Sequence, residues 1–133
     1  MASIFSRIVA GEIPCHRVAE DDRFLAFLDI MPLAEGHTLV IPKVEVDRMW
    51  DLEPSLLGDL HIFSQNVALA LEDAIPCQRV GQAVIGLEVP HAHVHLIPLN
   101  RVADINFERP KLQVSQKDLA ATAEKIRAAY AKR

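Results

Sequence analysis

The stretch His91-Ala92-His93-Val94-His95-Leu96-Ile97 sets three histidines in strict alternation with small or apolar residues, then runs into an aliphatic pair. Successive side chains of a strand point to opposite faces, so residues i, i+2 and i+4 share one face. Read as a strand over residues 91–99, the segment stands three imidazoles in a row, about 6.5–7 Å apart from Cα to Cα. Ala92, Val94 and Leu96 then point the other way, into a core. Three of the chain's six histidines fall within these five residues.

Working outward, the flanks read as short strands and helices. Ile4, Phe5 and Ile8 lie on one side of a short helix over residues 3–10, with Ser3 as its cap and Gly11 as its stop. Strands are expected at residues 15–19, 24–30 and 37–42. Leu56, Leu60, Phe63, Val67, Ala70, Leu71 and Ala74 recur at helical spacing between Pro54 and Pro76. Ile62 and Leu69 give that long helix a second apolar stripe. Residues 80–89 and 91–99 read as adjacent strands with a bend at Val89-Pro90. A last helix starts at Ser115, with Asp118 three residues on in a capping pattern and a stripe of Leu119, Ala123, Ile126 and Tyr130. Residues 100–114 lack periodicity and read as loop. Most strands follow one another without an intervening helix. That predicts an α+β fold: an antiparallel sheet of about five strands with a long central helix and a C-terminal helix.

The chain has 133 residues, half of them apolar and 24% charged, and a net charge of −4. This is the profile of one globular domain over residues 1–133, with its core at roughly 3–99 and a C-terminal loop and helix at 100–133. The acidic balance excludes a broad basic surface for nucleic acid. Cys15 and Cys77 form no CxxC pair and read as inert thiols in a reducing compartment. No stretch is apolar enough to span a membrane. Arg7 and Glu12 interrupt the first fourteen residues, which do not resemble a signal peptide. The expected location is cytoplasmic.

Three readings of the histidine row compete. Strand packing alone can place histidines, though three in alternation ask for more. Two of them can grip a metal, with His37 or Glu88 as a further ligand. The third reading is covalent catalysis: a neutral imidazole attacks an electrophilic phosphorus while its neighbours orient it and hydrogen-bond the phosphate or leaving group.

The segment resembles the signature of the histidine-triad (HIT) family, His-φ-His-φ-His-φ-φ with φ apolar. The resemblance extends upstream in order. Ile4-Phe5-Ser6-Arg7-Ile8 with Gly11-Glu12-Ile13-Pro14, then Phe24-Leu25-Ala26-Phe27-Leu28-Asp29-Ile30, then Gly36-His37-Thr38-Leu39-Val40-Ile41-Pro42-Lys43 are similar to successive family blocks, on its Hint-like bacterial branch. The resemblance implies a nucleotide hydrolase or transferase. It would act on the α-phosphate of nucleoside phosphoramidates or dinucleoside polyphosphates through a nucleotidyl–histidine intermediate. By that resemblance His93 is the nucleophile, His91 and His95 flank it, and His37 supports it. Asp29 holds the ribose hydroxyls, while Ile4, Phe5, Ile8, Ile13, Phe27, Ile30 and Leu39 line a base pocket. The resemblance also implies a purine nucleotide or nucleotide conjugate as partner, a homodimer, and no cofactor. The rival is a nucleotide-binding or scaffold protein on the same fold with little turnover.

Two departures stand out. Many bacterial members carry Cys-x-x-Cys near the N-terminus and a histidine after the Ile-Pro-Lys block, which together with the first triad histidine bind zinc. Ser3, Ser6 and Val44-Glu45-Val46-Asp47 stand at those places, so no structural zinc is expected. The family's Gly-Gln-Ser/Thr-Val before the triad, whose polar side chains contact phosphate, is here Gly86-Leu87-Glu88-Val89. Leu87 cannot hydrogen-bond, and an ionised Glu88 repels a phosphate. Glu88 instead orders a triad histidine or favours an amine leaving group.

Overall fold

The apolar runs assemble into one twisted sheet. A computed structural model describes residues 2–133. Helix α1 (Ile4–Val9) is followed by strands β1 (Arg17–Glu20), β2 (Phe24–Leu28) and β3 (Thr38–Pro42). Helix α2 (Pro54–Ala74), strands β4 (Arg79–Ala83) and β5 (Val94–Leu99), and helix α3 (Gln116–Ala131) complete the chain. The five strands lie in the order β1-β2-β3-β5-β4, every pair antiparallel. This is the expected α+β architecture.

All five residues of β2, and all five of β3, are buried. The sheet is covered on both faces, which is why these strands read as continuous apolar runs and not as alternation. One face carries Phe24, Ala26, Leu28, Val40, Val94 and Leu96 against Leu60, Phe63, Val67 and Leu71 of α2 and Leu119, Ala123 and Ile126 of α3. The other face carries Leu25, Phe27, Leu39 and Ile41 under Phe5 of α1. His95 belongs to this second face. It pairs with Leu39, which pairs with Phe27, so Phe27, Leu39 and His95 form one row across three strands.

The cap at Ser3 is as expected: its side chain accepts the Ser6 N–H. Gly11 follows the helix at φ +81°, a left-handed conformation that favours glycine. Gly36 (φ +89°) sits where a Cβ would lie 3.0 Å from Ile75 Cγ1 and 3.3 Å from Pro98 Cγ. Glycine there lets the chain turn tightly before His37. Ser115 caps α3 by accepting the Asp118 N–H. Pro54 opens α2 and Pro76 follows its end.

Two strand expectations need correction. β5 begins at Val94, so His91 and His93 precede it. β3 pairs with β5 only from Thr38 to Val40, and the Ala92 N–H goes instead to the Val46 carbonyl, 2.7 Å away. The chain thus joins the ladder only within the triad, after His93. β4 ends at Ala83, not at residue 89, and Gly86 at φ +73° turns the following loop. In the long loop after β5, residues Val102–Ile105 form a 3-10 turn. Another, at Met49–Asp51, precedes α2.

Candidate active site

Three hydrogen bonds set the proton positions of the triad. His93 Nδ1 lies 2.7 Å from the His91 carbonyl, an acceptor, so Nδ1 carries the proton. The neutral ring then has its lone pair on Nε2. The Leu33 N–H donates to His37 Nδ1 at 3.0 Å, so the neutral His37 ring has its proton on Nε2. That proton points to His95 Nδ1, 3.0 Å away. His95 must therefore carry its own proton on Nε2. The His93 and His95 rings lie 5.0 Å apart, centre to centre, nearly edge to face. Neither Nε2 has a hydrogen-bond partner among the described residues. No buried side-chain nitrogen or oxygen among them is left unpaired, so both atoms reach solvent. The site thus presents a lone pair and an N–H side by side.

Burial keeps these rings neutral. Desolvation, then the neighbouring His95 and Lys111, lowers the pKa of His37 to about 3. Desolvation, then His93 and Lys111, lowers His95 to about 4. His93 is also lowered, mainly by burial, while its bond to the His91 carbonyl and the charges of Asp29 and Glu88 oppose the shift. Burial raises the pKa of Asp29, against the Met31 N–H and the Lys111 charge.

His91 does not stand in a row with its partners. It is fully buried, and its Nε2–H donates to the Pro42 carbonyl at 2.7 Å. Its Nδ1 accepts the Ser3 hydroxyl at 2.8 Å. Glu45 completes this cluster, accepting the Ser3 N–H and the Ser6 hydroxyl, each at 2.6 Å. Those two bonds hold its carboxyl down at about 2. Phe5 packs edge-on against both His91 and His93, with ring centres 5.9 and 5.1 Å away. The donor set does not fit a structural zinc. Two neutral hydroxyls replace charged thiolates, and the lone pair of His91 Nδ1 already accepts a hydrogen bond from the Ser3 hydroxyl. Glu45 carries no local sequence signal for this role, since its partners lie about forty residues away.

Asp29 Oδ2 lies 3.7 Å from His37 Nε2, and Oδ1 accepts the Met31 N–H. Asp29, His37 and His95 offer one ligand atom each within 4.8 Å of one another. The tautomers argue against a metal there, because the Leu33 N–H occupies His37 Nδ1 and leaves the proton on the nitrogen that would have to bind. Of the expected pocket residues, Phe5, Phe27, Leu39 and Ile8 share the small core beside the triad. Ile13 is half-buried, and Ile4 and Ile30 are 50% and 60% exposed. Leu87 and Glu88 lie exposed on the loop before the triad. Two residues that sequence reasoning missed come from the loop after β5. The Phe107 ring lies 4.7 Å from His95 and 6.1 Å from His37, and Lys111 sits beside Phe107.

Residues 10–102 match the HIT domain family. The chain is 35% identical over 129 residues to the adenosine 5'-monophosphoramidase hnt1 of Schizosaccharomyces pombe, covering 95% of this chain and 96% of that protein. It superposes with TM-score 0.83 on a Hit-like protein from Bartonella henselae, described as involved in cell-cycle regulation, at 33% identity over 96% of this chain and 95% of the other. A Zn-bound histidine triad family protein from Mycobacterium smegmatis gives the same TM-score, 0.83, at 29% identity, covering 99% of this chain and 95% of that one.

Proposed function

The chain belongs to the HIT domain family, and from that premise we propose that it hydrolyses nucleoside phosphoramidates or dinucleoside polyphosphates at the α-phosphorus. The observation that carries the proposal is the pairing of proton positions. The His91 carbonyl holds the His93 proton on Nδ1 and exposes an Nε2 lone pair, while His37 leaves His95 with an outward Nε2–H. His93 Nε2 forms a bond to phosphorus as the bond to the leaving group breaks. The His93 Nδ1–H stays on the His91 carbonyl and spreads the positive charge that the ring acquires. His95 hydrogen-bonds the leaving atom as charge develops on it. Water then displaces His93 and releases the nucleoside monophosphate.

Asp29 accepts the ribose hydroxyls, for which a carboxylate has free lone pairs. Phe5, Ile8, Phe27 and Leu39 form the wall against the base, and Ile4, Ile13 and Ile30 extend it. The relative from S. pombe, named as an adenosine 5'-monophosphoramidase, supports adenosine phosphoramidate as the first substrate to assay. Incubation with it should release adenosine monophosphate, and His93→Ala should abolish release. The binding or scaffold reading is favoured by one observation: Glu88, not a phosphate-holding side chain, acts on His93 from the preceding loop. Tight nucleotide binding without turnover would establish it.

A homodimer is supported by the free edge of β4 and by Ile62, 58% exposed on α2 with Val84 and Ile85 also exposed beyond the strand. A second copy pairing along β4 would cover all of these. The protein acts in this reading as one domain in the cytoplasm, without nucleic acid or membrane as partner. No helix among the described residues is long and apolar enough to cross a membrane.

A further inference from the structure

We propose that Lys111 is the phosphate-binding cation of this site, held against Phe107, the ring that packs on His95 and His37. The inference rests on the nucleotide reading above and adds to it the residue that takes the phosphate's charge.

The need for such a residue is electrostatic. Leu87 and Glu88 stand where polar phosphate contacts are expected, and the Leu87 side chain, 88% exposed, has nothing to donate. The carboxylates of Asp29 and Glu88 both act on His93. A phosphate entering beside two carboxylates requires a local positive charge. The three neutral histidine rings do not supply it.

The geometry points to Lys111. Phe107 lays the edge of its ring against His95 and His37, centres 4.7 and 6.1 Å away. Lys111 folds back on it: Nζ donates to the Phe107 carbonyl at 2.6 Å and lies 5.7 Å from the ring centre. Phe107 thus contacts both the ammonium and His95. The far end of the segment is fastened to the loop that carries Asp29, through the Leu112 N–H on the Pro32 carbonyl at 2.8 Å. Lys111 is half-buried, and no carboxylate among the described residues lies within ion-pair distance of it. An ammonium has three N–H donors, and the Phe107 carbonyl uses one. Two remain for phosphate oxygens, the role to which a compact point charge is suited. Its field already reaches the cluster, since it depresses the pKa values of Asp29, His37 and His95.

Calorimetric titration of adenosine monophosphate and of adenosine into the wild type, Lys111→Met and Lys111→Arg tests this. Lys111→Met should weaken the monophosphate about tenfold or more, the loss expected for a charged hydrogen bond. It should leave adenosine within about twofold, and Lys111→Arg should keep monophosphate affinity within about threefold. Unchanged monophosphate affinity in Lys111→Met would overturn the proposal. So would a parallel loss for adenosine, which marks collapse of the loop and not loss of a charge contact. A wild type that binds through Lys111 but hydrolyses no phosphoramidate defeats the hydrolase reading alone. A wild type that hydrolyses while Lys111→Met binds the monophosphate as tightly defeats this inference alone. A wild type with no monophosphate affinity overturns this inference, and the hydrolase reading falls with it only where the phosphoramidate is not hydrolysed either.

Discussion

Acidification from pH 7.5 to 5.5 is expected to lower the unfolding free energy by about 3 kcal/mol, through two buried rings. His37 is held at about 3 and His95 at about 4, each chiefly by burial. Both rings titrate near 6.5 once the chain unfolds. Their folded values are depressed, so the unfolded state binds protons that the folded state refuses. Their stabilising contribution is present above pH 6.5 and is lost as pH falls from 6.5 toward 4 and 3. At pH 5.5 each ring favours the unfolded chain by about 1.4 kcal/mol, and at pH 7.5 by almost nothing. His93, also depressed, acts in the same direction. Asp29 is raised by burial and so opposes the loss, being more stabilising in acid. For a chain of this size the expected fall in Tm is about 10 °C. Urea unfolding at the two pH values, at one protein concentration, measures the effect directly. His95→Gln should reduce the loss by about 1.4 kcal/mol, because one titrating ring is gone. A loss under about 1 kcal/mol, or a gain in acid, would refute the claim that these rings are buried neutral.

Ser3→Ala removes both the α1 cap and the hydroxyl on His91 Nδ1, and should cost about 1–2 kcal/mol in the same urea assay; no measurable loss would count against the Ser3–His91 contact. Glu88→Gln should change the ratio of turnover on phosphoramidate and diphosphate substrates. Unchanged activity on both would sink any role for that carboxylate. Ile62→Glu places a charge on the open stripe of α2, and sedimentation should then show monomers where the wild type gives dimers. A wild type that is already monomeric contradicts the homodimer.

The periodic elements were readable because each has one physical cause. The stripe on α2, with Leu60, Phe63, Val67, Ala70 and Leu71 buried, needs only a 3.6-residue repeat facing a sheet. The caps at Ser3 and Ser115 need only an oxygen at the right offset. The run of Phe and Leu in β2 marked it as a strand, while its cover on a second face by Phe5 came only with the structure. The triad was legible as chemistry but not as geometry. Alternation suggested a straight row, yet the Ala92 N–H bonds to Val46 outside the sheet and takes His91 and His93 off the strand. Contacts that depend on long-range approach left no local trace. Glu45 meets Ser3 and Ser6 from about forty residues away. Phe107 and Lys111 sit in a loop without periodicity, so nothing in their neighbourhood marked them as neighbours of His95.

Covalent catalysis here requires that His93 Nε2 become bonded to phosphorus. Rapid mixing with adenosine phosphoramidate, an alkaline quench and intact-protein mass spectrometry tests it most directly. The wild type should show a transient gain of one adenylyl group, mapped to His93 by peptide analysis and missing in His93→Ala, which also releases no monophosphate. Steady turnover with no adduct on His93, or turnover that survives in His93→Ala, would contradict it.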